Sequence, residues 1–392
     1  VTGNVKAESA VNIYENESRS TGKGFMSSSS SYRNSHTEEN SASNLMLGKN
    51  AVIKGNIEGI GSNIVLGENT YVGGKVTTDA QQLHNSYFEE NRKKGFSGGI
   101  SHGTASLSYG KSQNIYDEKS TVNAKSNLQV GDGSVLNRGA EITATNFEYG
   151  NIQINNGDVK YGARIDTRDV HTESKSSSFG ISAGVNSPML DRAKQVAGAV
   201  EQVKNGDTAG GAMEAINAAT GTIKGLSENI TKSDGTRATM NDIRSGNFKV
   251  NNDFYVSGNI RAGFNKSKSS TTSHTESAVV TTMKPMNENS SITYNNVNNI
   301  TYQGTQAQGG TFIYNNVANI QKEAVELRNR YSSESSGFGV GVSAGIGSNG
   351  QIKSNGISGN ISANRSNQNT VETIYANGSF TNVNEVHNNT GT

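Results

Sequence analysis

A short internal repeat constrains the fold of this chain more than any other feature. Ser-Asn-Leu-Met-Leu-Gly-Lys-Asn begins at Ser43 and returns 19 positions later, at Ser62, as Ser-Asn-Ile-Val-Leu-Gly-Glu-Asn, and a third copy begins at Ser126. Farther on, Tyr-Asn-Asn-Val begins at Tyr294 and again at Tyr314, 20 positions later. A unit of 19 or 20 residues can hold two or three short strands, which leaves too few residues for a helix of ordinary length. Stacked coils of a parallel β-helix fit it, because each coil buries its apolar positions only against its neighbours.

Leucine-rich repeats are the alternative at this period, but their leucine-dense consensus is absent. Asn295 and Asn315 recur at one register, which predicts an amide ladder running from coil to coil. If about 45 residues are helical, the remaining ~350 form at most about 17 coils, a rod of up to ~80 Å that any hairpins would shorten.

The composition agrees with a thin β structure. Only 32% of the residues are hydrophobic, and the chain has 46 Gly, two Pro, no Trp, no Cys and a net charge of +1. The absence of Cys excludes disulfides and thiolate metal sites. Near-neutral charge removes the global argument for nucleic-acid binding, since phosphate contacts need clustered Lys and Arg. The one basic run, Arg92-Lys93-Lys94, is short, and we interpret it as a solvated turn.

Alternating glycine-rich stretches predict β-hairpins that leave the coils. Residues 336–366 alternate Phe, Val, Val, Ala and Ile with Gly or Ser, pass a Ser-Asn-Gly turn, and alternate again. Related stretches occur at about 95–112 and, split by an insertion, at 178–264. The predicted partner- or membrane-contact residues are the apolar members of these stretches: Phe96, Ile100, Phe179, Ile181, Val185, Ile260, Phe264, Phe338, Val340, Val342, Ile346, Ile357 and Ile361.

The insertion has a different periodicity. After Pro188, apolar residues recur at helical spacing, and an Asn-Gly pair at Asn205 separates this segment from a second one with the same spacing. We therefore predict a helical hairpin at 188–230 between two β-helix regions, 1–187 and 231–392. The first region carries the hairpin at about 95–112, and the second carries the hairpin at about 336–366.

Other motifs predict no chemistry. His-Thr-Glu occurs at His36, His171 and His274, but one histidine per repeat does not make a zinc site, and we interpret these as solvated turns. The acidic pairs beginning at Glu38, Glu89 and Asp117 look like exposed corners, and no Ser-His-Asp constellation stands out. The sequence therefore predicts no enzyme, no cofactor and no metal.

Together these features resemble the haemagglutinin-repeat region of two-partner-secretion exoproteins, the filamentous haemagglutinins and the contact-dependent growth inhibition proteins. The residues that carry the likeness are the Ser-rich, Gly/Phe-containing hairpin starts at 177–184 and 336–345, the Ser/Thr-rich run at 266–277, and the Asn/Gly coils. The resemblance implies an all-β fold, a right-handed parallel β-helix, on a Gram-negative cell surface or secreted from it. No signal peptide or secretion domain is recognisable, so we interpret the chain as an interior fragment.

The resemblance also implies a non-catalytic filament segment that serves adhesion or contact-dependent delivery of a C-terminal toxin. Its expected partners are an outer-membrane secretion protein and a receptor on a host or neighbouring cell, with no nucleic acid. The hairpins either pack on the β-helix flank or on one another, or insert as strands into a target outer membrane, which would make the chain a translocation module. A β-helix carbohydrate-active enzyme is the third alternative.

Overall fold

The chain forms a solenoid of short strands from which long hairpins project. The structure is a computed structural model that describes residues 1–101, 104–186, 230–231, 236, 249–250, 257–346 and 357–390. Within those residues every regular element is a strand. None of the described segments is a helix long and apolar enough to span a membrane.

The solenoid consists of three parallel sheets, which the chain visits in turn. The first contains β1 (Val5–Glu8), β6 (Ile57–Ile60), β9 (Val76–Asp79), β14 (Ala140–Thr143), the start of β17 (Val159–Asn186), β23 (Asn299–Gln303) and β26 (Asn319–Glu323). The second contains β4 (Asn44–Leu47), β7 (Asn63–Leu66), β12 (Ser126–Val130), β15 (Thr145–Tyr149), β21 (Thr282–Pro285), β24 (Gln306–Gln308) and β29 (Ser379–Thr381). The third contains β5 (Val52–Ile53), β8 (Tyr71–Val72), β13 (Val135–Leu136), β16 (Ile152–Asn155), β22 (Ser291–Asn295), β25 (Thr311–Asn315) and β30 (Asn384–Asn388).

This β-helix-like arrangement follows from the short repeat. Strands β4 and β7 pair in register from Asn44↔Asn63, and β22 and β25 pair from Ser291↔Thr311, so each copy of the repeat is one coil. Inward positions alternate with outward ones and stack into a single core. The core is aliphatic in the first coils and aromatic in the last; its largest fully buried side chains are Tyr149, Tyr161, Tyr294, Tyr302, Tyr314, Phe147 and Phe312.

Amide ladders line the corners, as predicted from Asn295 and Asn315. Asn295 donates its side-chain amide to Asn155 (2.8 Å), Asn315 donates to Asn295 (2.9 Å), and Asn388 donates to Asn315 (2.9 Å). The neighbouring corner residues Asn296 and Asn316 have positive φ angles, which asparagine tolerates better than most residues. The ladder predicted from spacing is therefore confirmed.

Four long hairpins leave the coils and pair edge to edge, which we call the hairpin sheet. In spatial order it contains β2 (Ala10–Gly24), β3 (Ser27–Ser41), β10 (Gln81–Ser101), β11 (Thr104–Ala124), β17 from Ala163, β20 (Ser257–Val280), β27 (Val325–Ile346) and β28 (Ile357–Ala376). All pairs are antiparallel. A separate small pair joins β18 (Ile230–Thr231) to β19 (Lys249–Val250).

The hairpins project from every second coil, immediately after β1, β9, the first residues of β17, and β26. Two coils rise by about two strand spacings of ~4.8 Å, which is the width that the two strands of one hairpin occupy. Each hairpin therefore leaves the solenoid at the height at which it pairs with the preceding hairpin.

The hairpins extend beyond the glycine-rich stretches that predicted them. The hairpins span Gln81–Ala124 and Val325–Ala376, and another one occupies Ala10–Ser41. Their Ser- and Asn-rich bases lack apolar alternation, so the sequence pattern did not predict their full length. Each parallel sheet has seven strands, a rise of roughly 29 Å, which lies below the upper limit of ~80 Å because the hairpins take up much of the chain. The predicted helical hairpin at 188–230 lies outside the described residues except for Ile230.

Candidate functional site: the hairpin sheet

The hairpin sheet has two chemically distinct faces. Its registers run without a bulge from β3 to β28, so residues paired across strands form ladders, and successive ladders point to opposite faces. The composition of each face can therefore be read from the ladders.

Three alternate ladders near the free ends of the hairpins are apolar, and we call them the apolar stripe. The first contains Phe96, Tyr109, Phe179, Phe264, Val340 and Ile361; the second contains Leu107, Ile181, Ala262 and Val342; and the third contains Ile100, Ala105, Ala183, Ile260 and Ala344. The rings of Phe96 and Tyr109 lie 4.8 Å apart.

The stripe brings together most of the residues predicted as contact residues, although they are spread over 266 positions from Phe96 to Ile361. Phe338 lies on the same face, one ladder closer to the solenoid. Ile357 is paired with Ala344 in the third ladder, and Val185 and Ile346 each pair with Gly258 beyond it. The prediction named separate hairpins; the structure joins them in one surface.

Much of the stripe is open to solvent. Phe179 is 48% exposed, Phe264 is 39% exposed, and Ile361 on the edge strand is 77% exposed. The ladders between these three consist of Ser, Gly and Asn with one Arg, and Ser97 bonds Ser108 across the strands (2.8 Å). The free end of the hairpin sheet is therefore amphipathic, with a broad apolar face and a flat polar face.

Two further ladders on the apolar face, one step closer to the solenoid, carry a cluster of cationic side chains. We call this set the basic band: Lys23, Arg92, Lys94, Lys111, Lys175, Lys266, Lys268 and Arg365. All are exposed. Its members are dispersed along the chain, so no sequence pattern predicts the band. Arg92-Lys93-Lys94 lies in strand β10 and not, as predicted, in a turn.

The His-Thr-Glu motifs also lie in strands, and two of them have equivalent roles. The β3–β10 ladder ends at His36↔Ser86, where β3 turns toward the second parallel sheet while β10 arrives from the first. At this fork the Glu38 carboxylate accepts the backbone N–H of His84 (2.6 Å), and the Asn85 amide oxygen accepts the N–H of Glu38 (2.8 Å). Side chains thus replace the missing ladder bonds.

The β20–β27 fork repeats this arrangement. Glu276 accepts the backbone N–H of Arg328 (2.7 Å), and Asn329 accepts the N–H of Glu276 (3.0 Å). His274 lies against Glu276 (3.3 Å) and Asp169 (2.7 Å). His171 differs, because it contacts Thr272 within β17–β20 and closes no fork.

Contacts at these forks shift the pKa values of the ionisable side chains. The hydrogen bond from the Arg328 backbone, with that from His274, holds the pKa of Glu276 below its ordinary value despite partial desolvation. The bonds to Asp169 and then Glu276 raise the pKa of His274. At the other fork, the hydrogen bond from the His84 backbone lowers the pKa of Glu38, and the bond to Glu38 raises the pKa of His36. The shifts follow from the contacts that close the forks.

Several acidic residues of the hairpin sheet are engaged in ion pairs or hydrogen bonds. Glu118 binds Arg168 (2.7 Å), Glu89 accepts a bond from Tyr87 (2.6 Å), and Glu90 binds Arg92 (2.8 Å). Within the described ranges no group of three or more His, Asp or Glu side chains is arranged to hold a metal ion.

One comparison with known proteins finds a match. No curated protein and no solved structure matches the chain. A family described as hemagglutinin repeat matches residues 262–392, which run from within β20 to past the end of β30 and thus include two of the hairpin-sheet pairings. The resemblance predicted from the glycine-rich hairpins is confirmed there: the match supports a region of the filamentous haemagglutinin type at residues 262–392.

Proposed function

We propose that the chain is a non-catalytic segment of a secreted, cell-surface adhesin, built as a right-handed parallel β-helix that displays the hairpin sheet. The observation that carries the proposal is the hemagglutinin-repeat match over strands that belong to both the solenoid and the hairpin sheet. This family is structural and adhesive rather than enzymatic. A broad, rigid sheet on a stacked core suits the presentation of a binding surface.

The wider context is part of the same proposal. The resemblance supports a Gram-negative surface protein that reaches the surface through an outer-membrane secretion partner and meets a receptor on a host or neighbouring cell. Delivery of a C-terminal toxin is the alternative use of the same filament.

Cell binding tests the adhesive function. Ser174, Ser269 and Ser335 lie in one ladder of the polar face, and replacing all three with Arg places bulky charges across that face. We expect saturable binding of the labelled chain to target cells to fall in this variant. The matched control places Arg at the exposed coil positions Gln129, Gln153 and Gln306. An absence of saturable binding to host and bacterial cells alike would contradict the adhesin proposal.

A second candidate function is insertion of the hairpin tips into a target membrane. The observation that favours it is the half-exposed apolar stripe. Vesicle flotation should show the chain rising with lipid and the variant Phe264→Asp/Val342→Asp remaining behind. The matched control is Val52→Asp/Tyr71→Asp, since both side chains are exposed hydrophobics on the coils. Equal flotation of the two variants would exclude the stripe as the inserting surface.

A further inference from the structure

The basic band lies beside a row of aromatic side chains. The first ladder of the apolar stripe, which is the one nearest the band, places rings on four adjacent strands, β10, β11, β17 and β20. We call Phe96, Tyr109, Phe179 and Phe264 the aromatic row. The last three of these rings are exposed to solvent. Successive ladders on one face are about 7 Å apart, so the aromatic row runs parallel to the cations at about that distance.

The cations of the band find few partners in the chain itself. Lys94 pairs directly with Lys111 across β10–β11, and like charges directly opposite each other in a sheet are destabilising. Among the members of the band, only Arg92 and Lys175 contact a carboxylate within the described ranges. The remaining positive charges are available to an anionic partner, which would also relieve the repulsion between Lys94 and Lys111.

Acidic residues border the band on its other side. Glu90, Glu173 and Glu334 share the next ladder toward the solenoid. A bound anion is therefore attracted to the band, repelled by the carboxylates beyond it, and held next to the aromatic row. Along the strands, this face presents carboxylates first, then cations, then aromatic rings.

This order of groups fits a polymer that has phosphates along one side and flat bases along the other. Proteins bind single-stranded nucleic acid with a positively charged groove for the backbone and with aromatic side chains on which successive bases stack. The strands that carry the aromatic row are about 4.8 Å apart, which exceeds the ~3.4 Å rise of stacked nucleotides. A nucleic-acid strand that crosses the sheet is therefore stretched, so its bases separate from one another and become open to the rings.

We propose that this face binds single-stranded nucleic acid, with the phosphates on the basic band and the bases on the aromatic row. The prediction of no nucleic-acid partner rested on the near-neutral net charge of the whole chain, which does not register a local band that acidic residues offset elsewhere. This partner is additional to the adhesive function, because the cell-binding variant alters the opposite face of the sheet.

Fluorescence anisotropy of the full chain with a labelled oligothymidylate of about 20 nucleotides tests the proposal. We expect binding that weakens as salt is raised. The variant Lys94→Gln/Lys111→Gln/Lys266→Gln/Lys268→Gln should lose about a hundredfold in affinity, and its slope of log affinity against log salt should be smaller by about 3. The control Lys49→Gln/Lys54→Gln/Lys160→Gln/Lys284→Gln removes the same charge from exposed coil positions and should bind normally.

A second variant separates base stacking from charge. Phe179→Ala/Phe264→Ala keeps every cation and should weaken oligothymidylate binding about tenfold or more, while binding of dextran sulfate stays unchanged. Its control, Tyr14→Ala/Tyr71→Ala, removes exposed rings away from the aromatic row and should bind normally. An abasic deoxyribose-phosphate strand of the same length should bind the wild type as weakly as oligothymidylate binds Phe179→Ala/Phe264→Ala.

Three results would overturn the proposal. Equal affinity for the abasic strand, or normal oligothymidylate binding after loss of the two phenylalanines, would show a general polyanion site that does not contact bases. Normal binding by the four-lysine variant would show that the band does not hold the phosphates. The absence of any oligothymidylate binding at low salt would exclude the site altogether, while the cell-binding test of the polar face would still decide the adhesive function.

Discussion

The His-Thr-Glu motif at the forks is visible in the sequence, but its structural role is not. His-Thr-Glu repeats along the chain, but its partners Asn85 and Asn329 lie about 50 positions away from Glu38 and Glu276. No local sequence pattern predicts these Glu–Asn contacts, because they depend on the register between neighbouring hairpins. The alternation of apolar residues, by contrast, is local, and it correctly placed strands at both ends of the 336–366 stretch.

The fork at His274 makes stability depend on pH. Lys119, Asp169, His274 and Arg330 share one ladder, and Glu276 lies beside it on the same face. Because the pKa of His274 is raised, its stabilising contribution is complete below the ordinary histidine value of 6.5 and is lost as pH rises through the raised value. The pKa of Glu276 is lowered, so its contribution is present above 4.5 and is lost as pH falls through the lowered value.

We expect Asp169→Asn to lower the pKa of His274, since the carboxylate makes the largest contribution to its rise. Histidine NMR titration measures this directly. In urea unfolding, the wild type should exceed the variant in stability at about pH 5.5, and the difference should shrink by about pH 8.5. Asp117→Asn, on the same face, is the control. An unchanged His274 titration would contradict the assignment of Asp169 as its partner.

At the scale of elements, the hairpins depend on one another. A two-stranded hairpin is marginally stable alone, and these pair with neighbours along nearly their whole length. That mutual support explains why strands such as Ser27–Ser41, with few apolar residues and mostly half-exposed or exposed side chains, are strands at all. Apolar alternation cannot predict such strands, so the sequence pattern could not distinguish the hairpin bases from the coils of the β-helix.

Removing the second hairpin should therefore split the hairpin sheet. Replacing residues 80–126 with a Gly-Ser link, like the one between β6 and β7, leaves β3 and β17 about 14 Å apart, three strand spacings, which is too far to hydrogen-bond. We expect hydrogen exchange to accelerate at the β3 amides that face β10. Removing the β27–β28 hairpin instead should leave those amides protected. Protection of β3 in both variants would show that the hairpins are independently stable.

At the scale of the whole molecule, stability is a sum over neighbouring coils. The short repeat predicted the coil and its amide ladders, but it could not predict how many coils there are, because polar hairpins and polar coils have similar compositions. The aromatic packing of the last coils was also not predicted. Phe312 lies between Tyr149, Tyr294, Tyr302 and Phe380, with ring centroids 6.1 to 6.4 Å away.

Phe312→Ala should destabilise these coils by about 3–5 kcal/mol, because the side chain is fully buried and leaves a cavity. In a stacked solenoid the effect is local. We expect faster hydrogen exchange in the coil strands β22 to β26, β29 and β30 and little change in β4 to β8. Phe264→Ala, at an exposed position, should change neither region. Uniform loss of protection along the chain would show that the solenoid unfolds as a single cooperative unit.

The placement of a hairpin on every second coil has a consequence for how the chain folds. Each coil lies on the one before it, and each hairpin zips onto the preceding hairpin, so every addition meets the same template of a parallel edge beside an antiparallel edge. Folding can therefore advance from one end without a search among distant segments. A polypeptide that emerges gradually, amino terminus first, would build solenoid and hairpin sheet together, and each completed turn would oppose backward movement of the chain.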